Sequence, residues 1–454
     1  MTAARSIPAR PGHRGSALVI VLWVTLGLVS VGLYFGHEVS LGLKAADQRV
    51  AGIEADQALD AGARYAMHVL ARNDRPATLP DPVTYRREGV ELGEARFWFL
   101  GRTTSATLTP VAPDQPVFAL VDECGKLNLN TATADMLANL PRMTPEPAAA
   151  ILDWRDADGT VTTGGAEDET YQRRTPPSRC KNAPFESVEE LQRVAGLDRT
   201  VLFGEDANLN GVLDPNERDG DATPPSDNRD NRLDPGLLEY LTVSSQEPLA
   251  LPDGTARINL GQASGRQQLA SLLQERLGAD RGNQVLRAVG NGAIRSVLEF
   301  FIRSRMTADE FRLVETNLVV ATGNTAPALV NVNTAPEAVL ACLPGIGLER
   351  APQLVGYRQS NAGRLDTVAW VAEVLDSQAA VQAGPYLTGH SFQYSADVAA
   401  TGRHGRGYRR ARFLIDVSGA TPRVVARRDL AGLGWALGRT TREQLDLLPT
   451  RNPR

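Results

Sequence analysis

The 454-residue sequence predicts an α+β protein: a long N-terminal transmembrane helix, a small sheet, and a large, mostly helical domain inserted between the strands of that sheet. Three observations predict it. Ser16 to Gly36 is apolar and uncharged, and helical spacing of Val, Leu, Ile and Ala runs on beyond it. Strand-like runs lie both before about residue 124 and after about residue 389. The block between them changes to helical patterns and acidic, Pro/Gly-rich loops. Strands on either side of a helical block read as one interrupted sheet, not as three domains in series.

The first element is the helix. At 1.5 Å per residue, Ser16–Gly36 spans about 30 Å, one hydrocarbon thickness. A secretory signal has a shorter core, about 7–15 residues, and a small-residue cleavage site after it. The following "HEVSLGLKAADQRVAGIEADQALDAGARYAMHVLAR" is amphipathic. One continuous helix from about Ser16 to Arg72 results, with 16–36 in lipid and 37–72 outside it. Arg5, Arg10 and Arg14 precede the span, and the first acidic residue is Glu38. Positive-inside then places the N-terminus in the cytoplasm and the bulk outside, which in a bacterium is the periplasm.

The sheet comes next. "ELGEARFWFLGRT" and "PVFALVDE" supply strands within 73–123. "HSFQYSADVAATG", "YRRARFLIDVSG" and "PRVVARRD" supply them within 390–454, ahead of a C-terminal tail.

The inserted block, 124–389, contains a repeat. Its clearest copies are "KLNLNTATADMLANLPRMTPEPAAAILDWRD" and "LVNVNTAPEAVLACLPGIGLERAPQLVGYRQ". Each has a short apolar strand, a helix, a Pro-containing turn and a second helix ending in an aromatic and Arg (Trp154-Arg155, Tyr357-Arg358). Thr131 and Thr334 are expected N-caps, and Pro336 suits a first helical turn. A weaker copy opens "RINLGQASGRQQLASLLQERLG". "LACLPGIGLERA" is a helix-hairpin-helix signature, with Gly345 and Gly347 permitting a tight turn. DNA-binding versions hold a phosphate there. Here Glu337 and Glu349 face Arg350 and Arg358 with no Lys nearby, and the whole chain carries a formal charge of −5. Nucleic-acid binding is therefore disfavoured, and close helix packing is the expected use of the turn.

"DANLNGVLDPNE" matches a twelve-residue calcium loop: Asp206, Asn208, Asn210, the turn glycine Gly211, Val212 through its carbonyl, Asp214, and Glu217 as bidentate ligand. "SDNRDNRLDPGLLE" echoes it, with Asn228, Asp230 and Asp234 in register and Asp227 or Glu239 as substitutes for missing carboxylates. Ca2+ is the expected structural ion. Asp156, Asp158, Glu167 and Asp168 form a third acidic cluster, for which a solvated loop is at least as good a description. Cys124 and Cys180 flank one segment and are a candidate disulfide in an extracytoplasmic domain, whereas Cys342 lies in an apolar run. No zinc-protease motif, phosphate loop or nucleophile elbow occurs, so an enzyme is not expected.

The junction "HRGSALVIV", with Gly ahead of the apolar run and Arg before the Gly, resembles the cleavage site of type IV prepilins and type II secretion pseudopilins. By that resemblance the cut falls between Gly15 and Ser16 and leaves the anchor on the mature chain; the alternative is an uncut signal anchor. Most members carry Glu at the fifth mature position, where this chain has Ile20. A carboxylate in lipid is costly unless a neighbouring subunit pairs with it, so its absence either argues against the family or suits a subunit at a filament tip. With the "NLNTA/NVNTA" repeats and the "GAEDE…KNAPFESVEEL" run, the chain resembles the minor pseudopilin K family of type II secretion systems. The resemblance implies a pilin-like fold, with the long helix packed on a small antiparallel sheet and the α-domain inserted between strands. It also implies a place at the pseudopilus tip with minor pseudopilins I and J, and contact with H or the major pseudopilin. Processing by prepilin peptidase, anchorage in lipid through 16–36 and bound calcium follow from it too. The competing expectations are a competence-type DNA-binding pseudopilin, a membrane-anchored periplasmic enzyme and a plain anchored calcium-binding surface protein.

Overall fold

The computed structural model describes residues 16–102 and 115–447; residues 1–15, with Gly15 of the expected cleavage junction, lie outside them. A single helix runs from Ser16 to Ala71. Among the described residues it alone is long and apolar enough to cross a bilayer. Leu18, Trp23, Leu33 and Phe35 of its first half are exposed. In the second half Ala51, Ala55, Ala58, Leu59, Ala63, Ala66 and Leu70 are buried, one stripe at helical spacing. Most of these are Ala, which lets a sheet approach closely.

The strands are β1 (Val90–Leu92), β2 (Ala95–Leu100), β3 (Val121–Asp122), β4 (Leu127–Asn128), β5 (Leu241–Thr242), β6 (Ile258–Asn259), β7 (Leu318–Val319), β8 (Val330–Asn331), β9 (Leu387–Thr388), β10 (Gln393–Thr401), β11 (Arg409–Asp416) and β12 (Arg423–Asp429). The main sheet has the order β1-β2-β10-β11-β12, with β3 also on β10, and every pairing is antiparallel. The chain leaves this sheet after β3 and re-enters it at its centre as β10, as expected of an interrupted sheet. Phe97, Phe99, Ala396, Val398 and Phe413 face the long helix. Alternation sends Trp98, Leu100 and Ala399 to the other face, where Ala436, Leu437 and Leu445 of the C-terminal segment cover them. Ion pairs Asp47–Arg406, Glu54–Arg403, Asp56–Arg409 and Asp60–Arg427 run along the helix–sheet seam.

Inside the insertion, three parallel two-residue ladders close three units: β4 with β5, β6 with β7, and β8 with β9. Each first strand ends in an Asn that does the same work. Asn128, Asn259 and Asn331 accept at Oδ1 from the backbone N–H two residues on. Their amide nitrogens donate across the closing strand, to Ser245, Ala321 and Ser391. The weaker middle copy is thus a true third unit. In the outer two, the helix-ending arginines also match: Arg155 donates to the Leu129 and Ala132 carbonyls, and Arg358 to those of Val332 and Ala335. One apolar core joins all three.

Two expected caps differ. Thr133, not Thr131, caps the helix Ala134–Ala138, because the chain first makes a turn after β4. Thr334 does not cap a helix; its hydroxyl donates to Asp122 at 2.5 Å, and Glu337–Ala341 starts behind Pro336. Asp122, at the end of β3, accepts from Thr334, Ser391 and Asn331 together and fastens the third unit to the sheet.

Candidate metal centre and its setting

The loop Asp206–Glu217 follows the helix Arg199–Phe203, which stops at Gly204 with φ +61°. Asp206, Asn210 and Glu217 are only 2%, 1% and 1% exposed. Asp206 accepts from the N–H groups of Asn210 and Gly211, each at 2.9 Å, and Gly211 makes the turn at φ +75°. Asn208 and Asn210 donate to one Asp214 oxygen at 2.7 and 3.0 Å. Glu217 accepts from the N–H of Ala207 and of Asp214, so its carboxylate closes the ring from below. Val212 is buried, and its N–H donates to Asn210 Oδ1. Asn208 Oδ1, the atom that the third position of such a loop would offer an ion, is buried with no donor.

Burial pushes the Glu217 carboxyl up to about 8, and the nearby Asp206 and Asp214 add to the rise. Burial raises Asp206 as well, against the pull of Arg102. Crowded buried carboxylates and an orphaned amide oxygen are what a hard cation would neutralise. Among the described residues no three His, Cys, Asp or Glu side chains converge as a ready metal shell. The fit to Ca2+ rests on mixed oxygens, carboxylate, amide and carbonyl, which that ion accepts and zinc does not favour.

In the echo loop, Asn228 donates to Asp234 at 2.9 Å, matching Asn208 to Asp214. The substitutes expected for the missing carboxylates lie elsewhere. Asp227 accepts from the N–H of Gly220, and Glu239 pairs with Arg102 at 2.8 Å. Glu205 takes the place opposite instead, accepting from the N–H of Asn228 and of Asp234. Asp230 caps its own turn, accepting from Arg232 N–H.

The third acidic cluster is only partly a solvated loop. Asp158 is exposed. Glu167 and Asp153 are 4% and 0% exposed, and Asp168 accepts from Cys180 N–H at 2.8 Å. Both Glu167 oxygens, Asp156 Oδ1 and Asn182 Oδ1 are buried without a well-aligned donor. Burial raises the Glu167 carboxyl, and Asp153 and Asp156 raise it further.

The candidate disulfide is not formed: Cys124 and Cys180 are free thiols. Cys124 sits at the sheet seam with its thiol on Gln393, whereas Cys180 packs against the Asp153 and Ala166 carbonyls. Burial raises both thiols, that of Cys180 to about 11. Gly345 and Gly347 take φ +82° and +67°, and a Cβ on Gly345 would strike the helix Ser377–Ala383. That turn is packed against protein, and its Arg350 pairs with Asp376 at 3.2 Å.

Sequence reasoning did not find what holds the first loop. Arg102 and Arg410, both buried, donate to the Leu209 carbonyl at 2.8 and 2.6 Å. Both lie far away in sequence, and a buried Arg in a strand gives no sign of its partner.

A helix long and apolar enough to cross a bilayer, an antiparallel sheet on its second half, and a three-unit, mostly helical insertion between the strands define the class of fold. Residues 125–202 match the family model of type II secretion system protein K, first domain. Two curated proteins of that description are similar to the chain. That of Klebsiella pneumoniae is 35% identical over 71 residues, 16% of this chain and 22% of the relative. That of Pectobacterium carotovorum is 40% identical over 50 residues, 11% and 15% respectively. The matched stretches thus span less than a quarter of those relatives. The GspK-GspI-GspJ complex of the enterotoxigenic Escherichia coli type 2 secretion system aligns with 87% of this chain and 98% of that chain, at 11% identity and TM-score 0.39. Residues 125–202 are thus similar to the first domain of type II secretion system protein K, in the region that carries the first of the three units.

Proposed function

We propose that the chain is a minor pseudopilin of a type II secretion system, anchored in the inner membrane and placed at the pseudopilus tip with I- and J-type minor pseudopilins. There it primes assembly, and its leader is removed by prepilin peptidase between Gly15 and Ser16. The observation that supports this is a 56-residue helix, its first half apolar and exposed and its second half seated on the sheet, in a chain whose residues 125–202 match the protein K family model. Physical sense agrees. A domain the size of 124–389 cannot recur along a thin filament but can be carried once at its end, and Ile20 needs no neighbour ahead of it. The three units are helix-hairpin-helix-like repeats used for packing. The division into leader, 16–36, 37–72, 73–123, 124–389 and 390–454 is part of this reading, as is contact with H or the major pseudopilin.

The test is the intact mass and N-terminal sequence of protein from its native membrane. A mature start at Ser16 is expected. A start at Met1 or Thr2 in cells with active peptidase would reduce the chain to a plain anchored protein.

Calcium belongs to the same reading, at Asp206, Asn208, Asn210, Val212, Asp214 and Glu217, and also between Asp156, Glu167 and Asn182. The ion would supply fixed positive charge, no redox chemistry. Calorimetric titration is expected to give a stoichiometry above one. Calcium at about 100 times its dissociation constant is expected to stabilise the fold by about 2.7 kcal/mol per site. An unchanged melting temperature at that excess speaks against the ion.

A further inference from the structure

Two buried arginines join the candidate calcium loop to the sheet, and the join has a direction. Arg410 on β11 is fully buried and pairs through Nε and Nη2 with Asp397 of β10, each at 2.8 Å. Its Nη1 and Nη2 also donate to the loop, to the Asn208 and Leu209 carbonyls. Arg102, just past β2, pairs with Glu239 and reaches the same Leu209 carbonyl. A third tie runs from Asn208 Nδ2 to the Trp435 carbonyl, in the C-terminal segment that covers the outer sheet face. All three ties end on Asn208 and Leu209, the third and fourth positions of the loop. A backbone carbonyl there is a useful acceptor only while the loop holds its turn. The turn is set by Asp206 and Asn210, two of the groups that would meet the ion.

We propose that ion binding in the Asp206–Glu217 loop controls how firmly the inserted domain and the C-terminal segment are seated on the sheet, with Arg410 and Arg102 as the positioning residues that carry the coupling. This rests on the calcium reading of the loop. An empty loop, with crowded carboxylates and the unpaired Asn208 oxygen, is free to lose its turn and offers its carbonyls poorly. A filled loop offers them fixed. Linkage makes the effect reciprocal: whatever the ion adds to the seam, the seam adds to ion affinity.

The experiment uses the full chain in detergent, stripped of divalent ions and titrated with CaCl2. Binding is read by calorimetry, and backbone exchange on peptides covering 206–217, 393–416 and 430–437. Calcium is expected to raise protection in all three together. Glu217→Gln is expected to abolish the response. Arg410→Met is expected to bind calcium about tenfold more weakly, within the 5- to 150-fold range of coupled sites, and to confine protection to the loop. If Arg410→Met does not fold, the wild-type comparison decides alone. Bound calcium with protection confined to 206–217 in the wild type overturns the coupling and leaves the calcium reading intact. No binding heat at the loop, with no difference from Glu217→Gln, overturns both.

Discussion

Asp397→Ala is expected to lower the stability of the folded chain by about 3–5 kcal/mol, the usual cost of leaving one member of a buried ion pair without its partner. Asp397 is 1% exposed on the central strand β10 and accepts from Arg410 twice and from Arg412 once, at 2.8, 2.8 and 3.0 Å. Its loss strands a fully buried guanidinium. Equilibrium urea unfolding of the full chain measures the effect. The double replacement Asp397→Leu with Arg410→Met removes both charges, and isosteric apolar replacement of a buried pair is often close to neutral. Here recovery is expected to be incomplete, because Arg410 also holds the Asn208 and Leu209 carbonyls. A single mutant no less stable than the double would show that Arg410 finds another partner.

The same site predicts a pH dependence. Burial alone would raise the Asp397 carboxyl, but Arg410 and Arg412 outweigh it and hold the group well below the usual carboxylate range. A group depressed on folding contributes stability fully above its unfolded value, about 3.9, and loses it as pH falls toward the folded value. The gap between wild type and Asp397→Asn is therefore expected to be flat from pH 7 to about 5 and to shrink below about 4. A gap that widens in acid would reverse the sign of the coupling.

Most of the architecture was legible in the chain because it is written in local periodicity. The uncharged run from Ser16, the Ala stripe after it and the alternating strands on both sides of the insertion each carry their own signal. The repeat was legible too, through the "KLNLNTA" and "LVNVNTA" segments and more weakly "RINLGQA", but only the structure shows what Asn128, Asn259 and Asn331 do there: one amide serves its own turn and a distant strand. The Asp206–Glu217 loop could be located since its groups sit at fixed offsets. What could not be read was long-range. Glu205, not Glu239, faces the echo loop because the strand-like turn at Gly204 lies against Pro235. The Cys124–Cys180 pairing failed for the same kind of reason: flanking a segment does not bring its ends together, and β3 leads Cys124 to the sheet. Arg102 and Arg410 look in sequence like ordinary charges on strands.

Gly407→Ala is the second change with a large expected effect, and it tests whether the long helix is truly seated. Gly407 has φ +67°, and a Cβ there would collide with the backbone of Ala51 and Gly52 in the helix. The left-handed conformation costs an L-residue about 1–2 kcal/mol, and overpacking a tight contact about 1–3 kcal/mol. Backbone cannot rotate aside as a side chain can, so the relief available is to lift the helix from the sheet near Ala51. That movement would also break the Asp47–Arg406 and Glu54–Arg403 pairs, which lie on either side of the contact. Gly402→Ala isolates the collision, since Gly402 faces the same Ala51 backbone with an ordinary φ of −81°. Gly419→Ala is the control, at an exposed position with nothing nearby. The expected order of destabilisation is Gly407, then Gly402, then Gly419 near zero, read by thermal unfolding together with proteolysis between residues 47 and 60. In the anchored protein proposed above the helix is the mechanical link between lipid and the inserted domain, so cleavage appearing there in Gly407→Ala, with the domain core intact, would show that the link loosens at its seat. Equal stability of Gly407→Ala and Gly419→Ala would mean that the helix is not held at Ala51 in solution.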